Sequence, residues 1–191
     1  MGRPSPRDAR ATSGCRCPRL VTRGRGQCEP AGEKRGTATG PNPTDRGKPG
    51  TKRHLVVDAH GTPLGLRLSG ANCNDSRMLA ATLDAVPGVR TGRRGRPRRR
   101  PDKLHADKGY DHRRCRCECR AHSITPRVAH RGIDSSEHLG RYRWIVEQTL
   151  AWLARFRRLS IRYERGADLH LAFTTLACAL ICRTQAKRFC P

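Results

Sequence analysis

The chain has 191 residues, with 40 Lys and Arg against 16 Asp and Glu, a formal net charge of +24 and a pI near 11.2. That length accommodates one domain with a real core, and self-repulsion of that size is tolerated chiefly when a polyanion supplies the counter-charge, which makes nucleic acid the leading partner. A membrane partner is excluded: there is no basic amphipathic helix with a clean apolar face, no apolar stretch near the start to serve as a signal, and Pro6 stands where myristoylation needs Ser or Thr.

Residues 1–36 are rich in Arg, Gly, Pro and Ser, bury too little surface to offset chain entropy and are expected to be disordered, leaving 37–191 as the folded domain. Within it, Lys52–Asp58 (KRHLVVD) and Leu64–Leu68 (LGLRL) read as two strands of a hairpin around a turn containing Gly61 and Pro63. Asp75-Ser76 is placed to cap a short helix with Met78, Leu79, Leu83 and Val86 on its apolar face, ended by Pro87-Gly88. TGRRGRPRRRP at 91–101 is an exposed arginine-dense loop. A strand at 103–107, a helix from Arg113 to Ala121 and a strand from Ile124 to Val128 then repeat the β-α-β order of an α/β sheet. A long helix carries Ile145, Val146, Leu150, Leu153 and Phe156 at helical spacing, and a last core helix runs from about Ala167 to Arg183, too short in its apolar part to span a bilayer.

Ten cysteines raise zinc and disulfides as readings. Cys15 and Cys17, and Cys115, Cys117 and Cys119, are separated by single residues, whereas tetrahedral zinc sites use roughly two to four intervening residues. Reduced thiols are expected, with Cys178 and Cys182 acting as small buried hydrophobes.

Two acids stand out. Asp107 ends the apolar run Lys103-Leu104-His105-Ala106, with Gly109 allowing a sharp turn, and Glu147 follows Arg143 by four residues beside an apolar helix stripe. A strand-end aspartate and a mid-helix glutamate suit divalent metal. Phosphoryl transfer on DNA uses two Mg²⁺ ions roughly 4 Å apart to hold attacking and leaving oxygens in line. The bland alternatives are a turn-capping aspartate and a surface ion pair with Arg143. Asp111 reads as a helix N-cap, and Asp58 and Asp75 are the other acids near strand ends, neither of them expected to ligate metal.

Five strings, GPNPTDRGKPGTKRHLVVDAHGTPL, SGANCNDS, GRRGRPRRRPDKLHADKGYD, RWIVEQTLAWLARFRRL and DLHLAFTTLACALICR, resemble the C-terminal catalytic part of bacterial insertion-sequence transposases of the DDE class, the group around insertion sequence five. The resemblance runs from about Gly40 to Arg183 and implies an α/β, ribonuclease-H-like fold with an Asp, Asp, Glu triad binding Mg²⁺ or Mn²⁺ for strand cleavage and transfer. Two acids of that triad fall on Asp107 and Glu147, and Arg143 matches the basic residue that orients the glutamate or clamps a phosphate. The tyrosine of the wider motif falls at Gly140, with Tyr142 nearest.

The first acid of the triad, on the opening strand in this family, has no counterpart. Between Asp8 and Asp45 there is no aspartate, only Glu29 and Glu33 are acidic, and Leu20-Val21 is the sole apolar pair. The expected fold is thus incomplete, lacking its opening strand, in a copy truncated at the N-terminus and inactive. A non-catalytic basic DNA-binding protein is the alternative. DNA contacts are expected from Arg93, Arg94, Arg96, Arg98, Arg99, Arg100, Lys108, Arg157 and Arg158. Arg94-Gly95-Arg96-Pro97 resembles a minor-groove hook, against which a loop making only phosphate contacts is the simpler reading. Self-association is left open, and a cytoplasmic, nucleoid-associated location is expected.

Overall fold

The computed structural model describes residues 19–22, 36–88, 97, 99–128, 130 and 136–189. Strands β3 (Pro49–Val57) and β4 (Pro63–Gly70) form the expected antiparallel hairpin, preceded by the two-residue strand β2 (Gly40–Pro41) paired to the start of β3. Asp58 builds the hairpin turn: its carboxylate accepts the N–H groups of His60 (2.8 Å) and Thr62 (2.9 Å). Gly61 adopts φ +83°, a backbone that L side chains rarely take, and a Cβ there would also press on Thr149 Oγ1.

Along β3, Leu55 and Val57 enter one core while Val56 enters the other, so the strand is apolar on both sides rather than alternating. The register slips from Val56 opposite Gly65 to Val57 opposite Pro63. Leu64 is the extra residue of this bulge, which lets Leu64 and Leu66 pack into opposite cores although two residues apart.

β1 (Arg19–Thr22) lies between β3 and β5 (Lys103–Ala106), antiparallel to the first and parallel to the second, and β6 (Thr125–Val128) pairs parallel with β5. Across the main sheet the order is β4-β3-β1-β5-β6. This corrects two expectations from sequence. An opening strand is present, and it lies within residues 1–36, which were read as outside the folded domain. Four residues suffice because the strand is central: Leu20 pairs with Val56 and Val21 with Leu55, so ladders on both sides supply what a short apolar pair lacks in local preference.

α1 (Leu79–Asp84) and α2 (Arg113–Ala121) cover one face of the sheet, where Leu79, Leu83, Cys115 and Cys119 meet Val56, Leu104, Ala106 and Val128. α3 (Ser136–Ala154), α4 (Arg157–Ser160) and α5 (Ala167–Phe189) cover the other, where Ile145, Val146, Leu153, Leu159 and Ile181 meet Leu55 and Val57. Each such aliphatic side chain contributes about 1.5–3 kcal/mol on burial.

Several local readings are refined. The predicted long helix is two, because Phe156 takes an extended backbone (φ −75°, ψ 110°), which turns both Phe156 and Leu159 toward the core. The cap of the 3-10 turn Asp75–Met78 is Asn74, whose Oδ1 accepts the Ser76 N–H at 3.0 Å, rather than Asp75-Ser76. Asp111 does not cap α2, whose N-cap is His112. It pairs instead with Arg116 (2.7 Å), which also donates to the Val128 carbonyl (3.0 Å) and so ties α2 to the end of β6. α5 runs six residues past Arg183, to Phe189.

Cys115, Cys119 and Cys178 are free and buried, and burial pushes the Cys119 thiol up to about 11 and that of Cys178 up to about 12, so they serve as apolar packing. Arg162 is fully buried and staples the segment before β2 to the loop before α5. It donates to the Thr37, Glu164 and Arg165 carbonyls and to the hydroxyls of Thr39 and Thr51. Among the described residues no helix is long and apolar enough to cross a membrane.

Candidate active site

The chain leaves β5 at Asp107 and turns at once. Asp107 Oδ1 accepts the Lys108 N–H (2.8 Å) and its carbonyl accepts the Tyr110 N–H (2.9 Å), closing a 3-10 turn whose Tyr110 is buried in the core. The turn-capping role expected of a strand-end aspartate is therefore real. It uses one carboxylate oxygen and leaves the residue half-buried at the C-terminal end of a parallel strand, where α/β sheets hold ligands.

The sheet register shows which position of β1 comes level with Asp107. Arg19 stands opposite His105 on β5 and opposite Val57 on β3. Two residues on, Val21 is level with Asp107 and paired with Leu55. Since Leu55 packs into the core under α3, position 21 belongs to the α3 face of the sheet. An acid at that position would stand beside Asp107 on the side of the helix carrying Glu147. Arg19–Thr22 reads RLVT, so no acid occupies β1.

Glu147 is half-buried on α3, next to buried Ile145 and Val146. Two residues on, Thr149 Oγ1 donates to the Gly61 carbonyl (2.7 Å), which ties α3 to the β3–β4 turn. That turn follows Val57, and because β3 is antiparallel to β1 it lies at the end of the sheet away from Asp107. Among the described residues no three His, Cys, Asp or Glu side chains gather as a metal-holding group. Asp107 and Glu147 are accordingly not joined by a third ligand into a closed set.

The sequence weighed the two other strand-end acids, Asp58 and Asp75, equally, and the structure sets them at opposite ends of the sheet. Asp58 builds the turn at the far end. Asp75 lies at the Asp107 end, paired with Lys52 Nζ (3.2 Å), and its 3-10 turn packs against Lys108–Tyr110. The side chain of Arg143 and residues Arg93, Arg94, Arg96 and Arg98 lie outside the described residues. Arg99 is exposed and Lys108 half-buried. Arg100 is held by the Leu83 carbonyl (2.8 Å) and Asp84 (2.7 Å), fastening the arginine-rich loop to the end of α1. Arg157 is exposed, while Arg158 pairs with Glu164 (2.9 Å) and lies over the rings of Tyr163 and Phe173 at 5.5 and 5.3 Å.

Beyond these, sequence reading missed Lys52, His54 and the set Arg77, His112 and Arg114. His54 is fully buried beside this end of the sheet, with Nε2 2.6 Å from Ser69 Oγ, and burial lowers its pKa to about 4. Only the alternation of β3, which puts His54 on the Val56 side, hinted at its burial.

A family model for the transposase DDE domain matches residues 21–182. A transposase assigned to insertion sequence element IS402 of Burkholderia cepacia is 52% identical over 150 residues, covering 78% of this chain and 71% of that protein. No solved structure matches the chain significantly. The family match opens on β1, at the residue level with Asp107, and closes on α5, so it takes in every strand of the main sheet and the helices on both faces. The chain belongs to the DDE transposases of bacterial insertion sequences.

Proposed function

We propose that this chain is a DNA-binding transposase module of the ribonuclease-H-like type whose metal site is incomplete, so that it binds DNA without cutting it. The fold reading is supported by the order β4-β3-β1-β5-β6, with one central strand antiparallel to a hairpin on one side and parallel to a β-α-β unit on the other. The observation that carries the functional reading is an acid-free β1 beside Asp107.

In the family, divalent Mg²⁺ or Mn²⁺ supplies the charge stabilisation for phosphodiester attack, and Asp107 and Glu147 are the residues here to hold it. The donor set does not fit a two-ion site. In-line displacement needs both ions fixed, two acids leave the bridging position unfilled, and a lost ligand costs more than the roughly 10–100-fold typical of losing a group that only supports one. Arg143 orients the glutamate or a DNA phosphate in the same reading, and Arg93, Arg94, Arg96, Arg98, Arg99, Lys108 and Arg157 supply backbone contacts. The protein acts in the cytoplasm on nucleoid DNA.

Two measurements test this. Duplex DNA binding followed by anisotropy falls steeply with salt, with a log–log slope of about −5 for some six neutralised phosphates, and a slope near zero refutes DNA binding. A supercoiled-plasmid nicking assay with Mg²⁺ or Mn²⁺ shows no cleavage above background. Cleavage that disappears in Asp107→Ala and Glu147→Ala refutes the incomplete site, and its further loss in Asp75→Ala identifies the third ligand.

A further inference from the structure

We infer that the cavity of about 670 Å³ lined by Asn72, Asn74, Ser76, Arg77, His112 and Arg114 is a phosphate subsite that anchors the DNA backbone beside Asp107, an inference resting on the reading of this chain as DNA-binding. With Cys73 also in it, its lining carries two guanidiniums, an imidazole, two amides, a hydroxyl and a thiol, and no carboxylate. That chemistry selects a phosphate diester oxygen, which a guanidinium meets with paired, charge-assisted hydrogen bonds.

The walls are built before any ligand arrives. Arg114 Nη2 donates to the Ser76 carbonyl (2.7 Å), closing α2 onto the 3-10 turn Asp75–Met78. On the opposite side, Lys52 Nζ holds the Cys73 carbonyl (3.0 Å) and Asp75 (3.2 Å), so the Asn72–Asp75 turn is fixed and the one acid in it is already neutralised. Arg114 is shared with Glu118 at 3.3 Å, whereas Arg77 is exposed and has no carboxylate partner among the described residues. Position selects DNA over a small free anion. The Asp75–Met78 turn packs on Lys108–Tyr110, the turn that Asp107 caps, so a strand crossing Asp107 carries its neighbouring phosphates past the cavity mouth.

The test uses the full chain and a short duplex, with Arg77→Ala, Arg77→Lys and Arg77→Ala on duplexes bearing single methylphosphonates at successive positions. Arg77→Ala is expected to weaken binding about tenfold at 0.1 M salt and to reduce the salt slope by about 1, with Arg77→Lys recovering the slope. At one methylphosphonate position, the Arg77→Ala penalty vanishes because the phosphate it meets is already neutral. Wild-type binding with an unchanged Arg77→Ala slope, or a penalty spread evenly over every methylphosphonate position, overturns the subsite while leaving DNA binding intact. Failure of the wild-type chain to bind any duplex overturns both readings.

Discussion

His54 makes the end of the sheet that carries Asp107 sensitive to acid. The side chain is fully buried on β3, and the hydroxyl of Ser69 donates to the Gly70 carbonyl (3.2 Å), so its lone pair is free to accept from His54 Nε2–H at 2.6 Å. Nδ1 has no partner. A second proton would have to sit on Nδ1, buried and without an acceptor, so burial lowers the pKa from 6.5 to about 4, with Asp75 raising it and Lys52 lowering it by smaller amounts. Between pH 6.5 and about 4 the unfolded chain binds this proton and the folded chain does not, so stability rises with pH across the window and is lost on acidification. At ~1.36 kcal/mol per pH unit the interval is worth about 3 kcal/mol, a large share of the ~5–15 kcal/mol typical of a domain. His54→Gln retains an N–H donor in reach of Ser69 and does not titrate. Urea unfolding followed by circular dichroism at pH 7 and pH 4 should show wild type losing about 3 kcal/mol more than His54→Gln. A difference below about 1 kcal/mol refutes the argument that an unaccepted Nδ1 proton governs this site.

Arg162→Met should destabilise the fold by about 3–5 kcal/mol, because it strips five oxygens, two of them in buried bonds and three in part-buried ones, of a shared donor at once, and a urea midpoint within error of wild type would show that solvent replaces the guanidinium there. Replacing Arg94 and Arg96 together by Ala should weaken binding to A·T-rich duplex more than to G·C-rich duplex, since only groove insertion senses width. Equal weakening in a side-by-side anisotropy titration reduces the segment to phosphate contacts.

The parts of the fold legible in sequence are those whose local pattern and tertiary role agree. KRHLVVD and LGLRL carry enough apolar and β-branched residues to declare strands, and α2 runs over Arg113–Ala121 as its boundaries suggest. What misled were positions set by distant residues. Asp111 looks like an N-cap until Arg116, itself held by the Val128 carbonyl, is seen to claim it, and Phe156 looks helical until the core pulls it into an extended conformation. In the candidate site, the strand end at Asp107 and the helix carrying Glu147 were legible, while the role of the two acids rests on the family resemblance. The Arg77, His112 and Arg114 cavity was not, because its walls come from two segments some 35 residues apart, joined by hydrogen bonds from Arg114 and Cys115 to the Ser76 carbonyl.

β1 is where fold and chemistry part company. The sheet pairs positions 20 and 21 with Val56 and Leu55, and that pairing does not call for an acid. In the reading proposed above, the reaction asks for a carboxylate level with Asp107, which is costly there unless a cation offsets its desolvation. On the proposed reading, a chain with Val21 keeps the fold without the activity, and one substitution separates the two demands. Val21→Asp should melt at lower temperature than wild type in EDTA, with a loss of about 1–3 kcal/mol for a polar group set without a partner on a central strand. Mg²⁺ or Mn²⁺ should then raise its melting temperature but not that of wild type, since an ion at ~100 times its Kd contributes about 2.7 kcal/mol to a state that binds it. The same variant should nick plasmid in a manner abolished by Glu147→Ala. A Val21→Asp chain that folds, yet neither gains metal-dependent stability nor nicks DNA, would show that position 21 is not where the missing acid belongs.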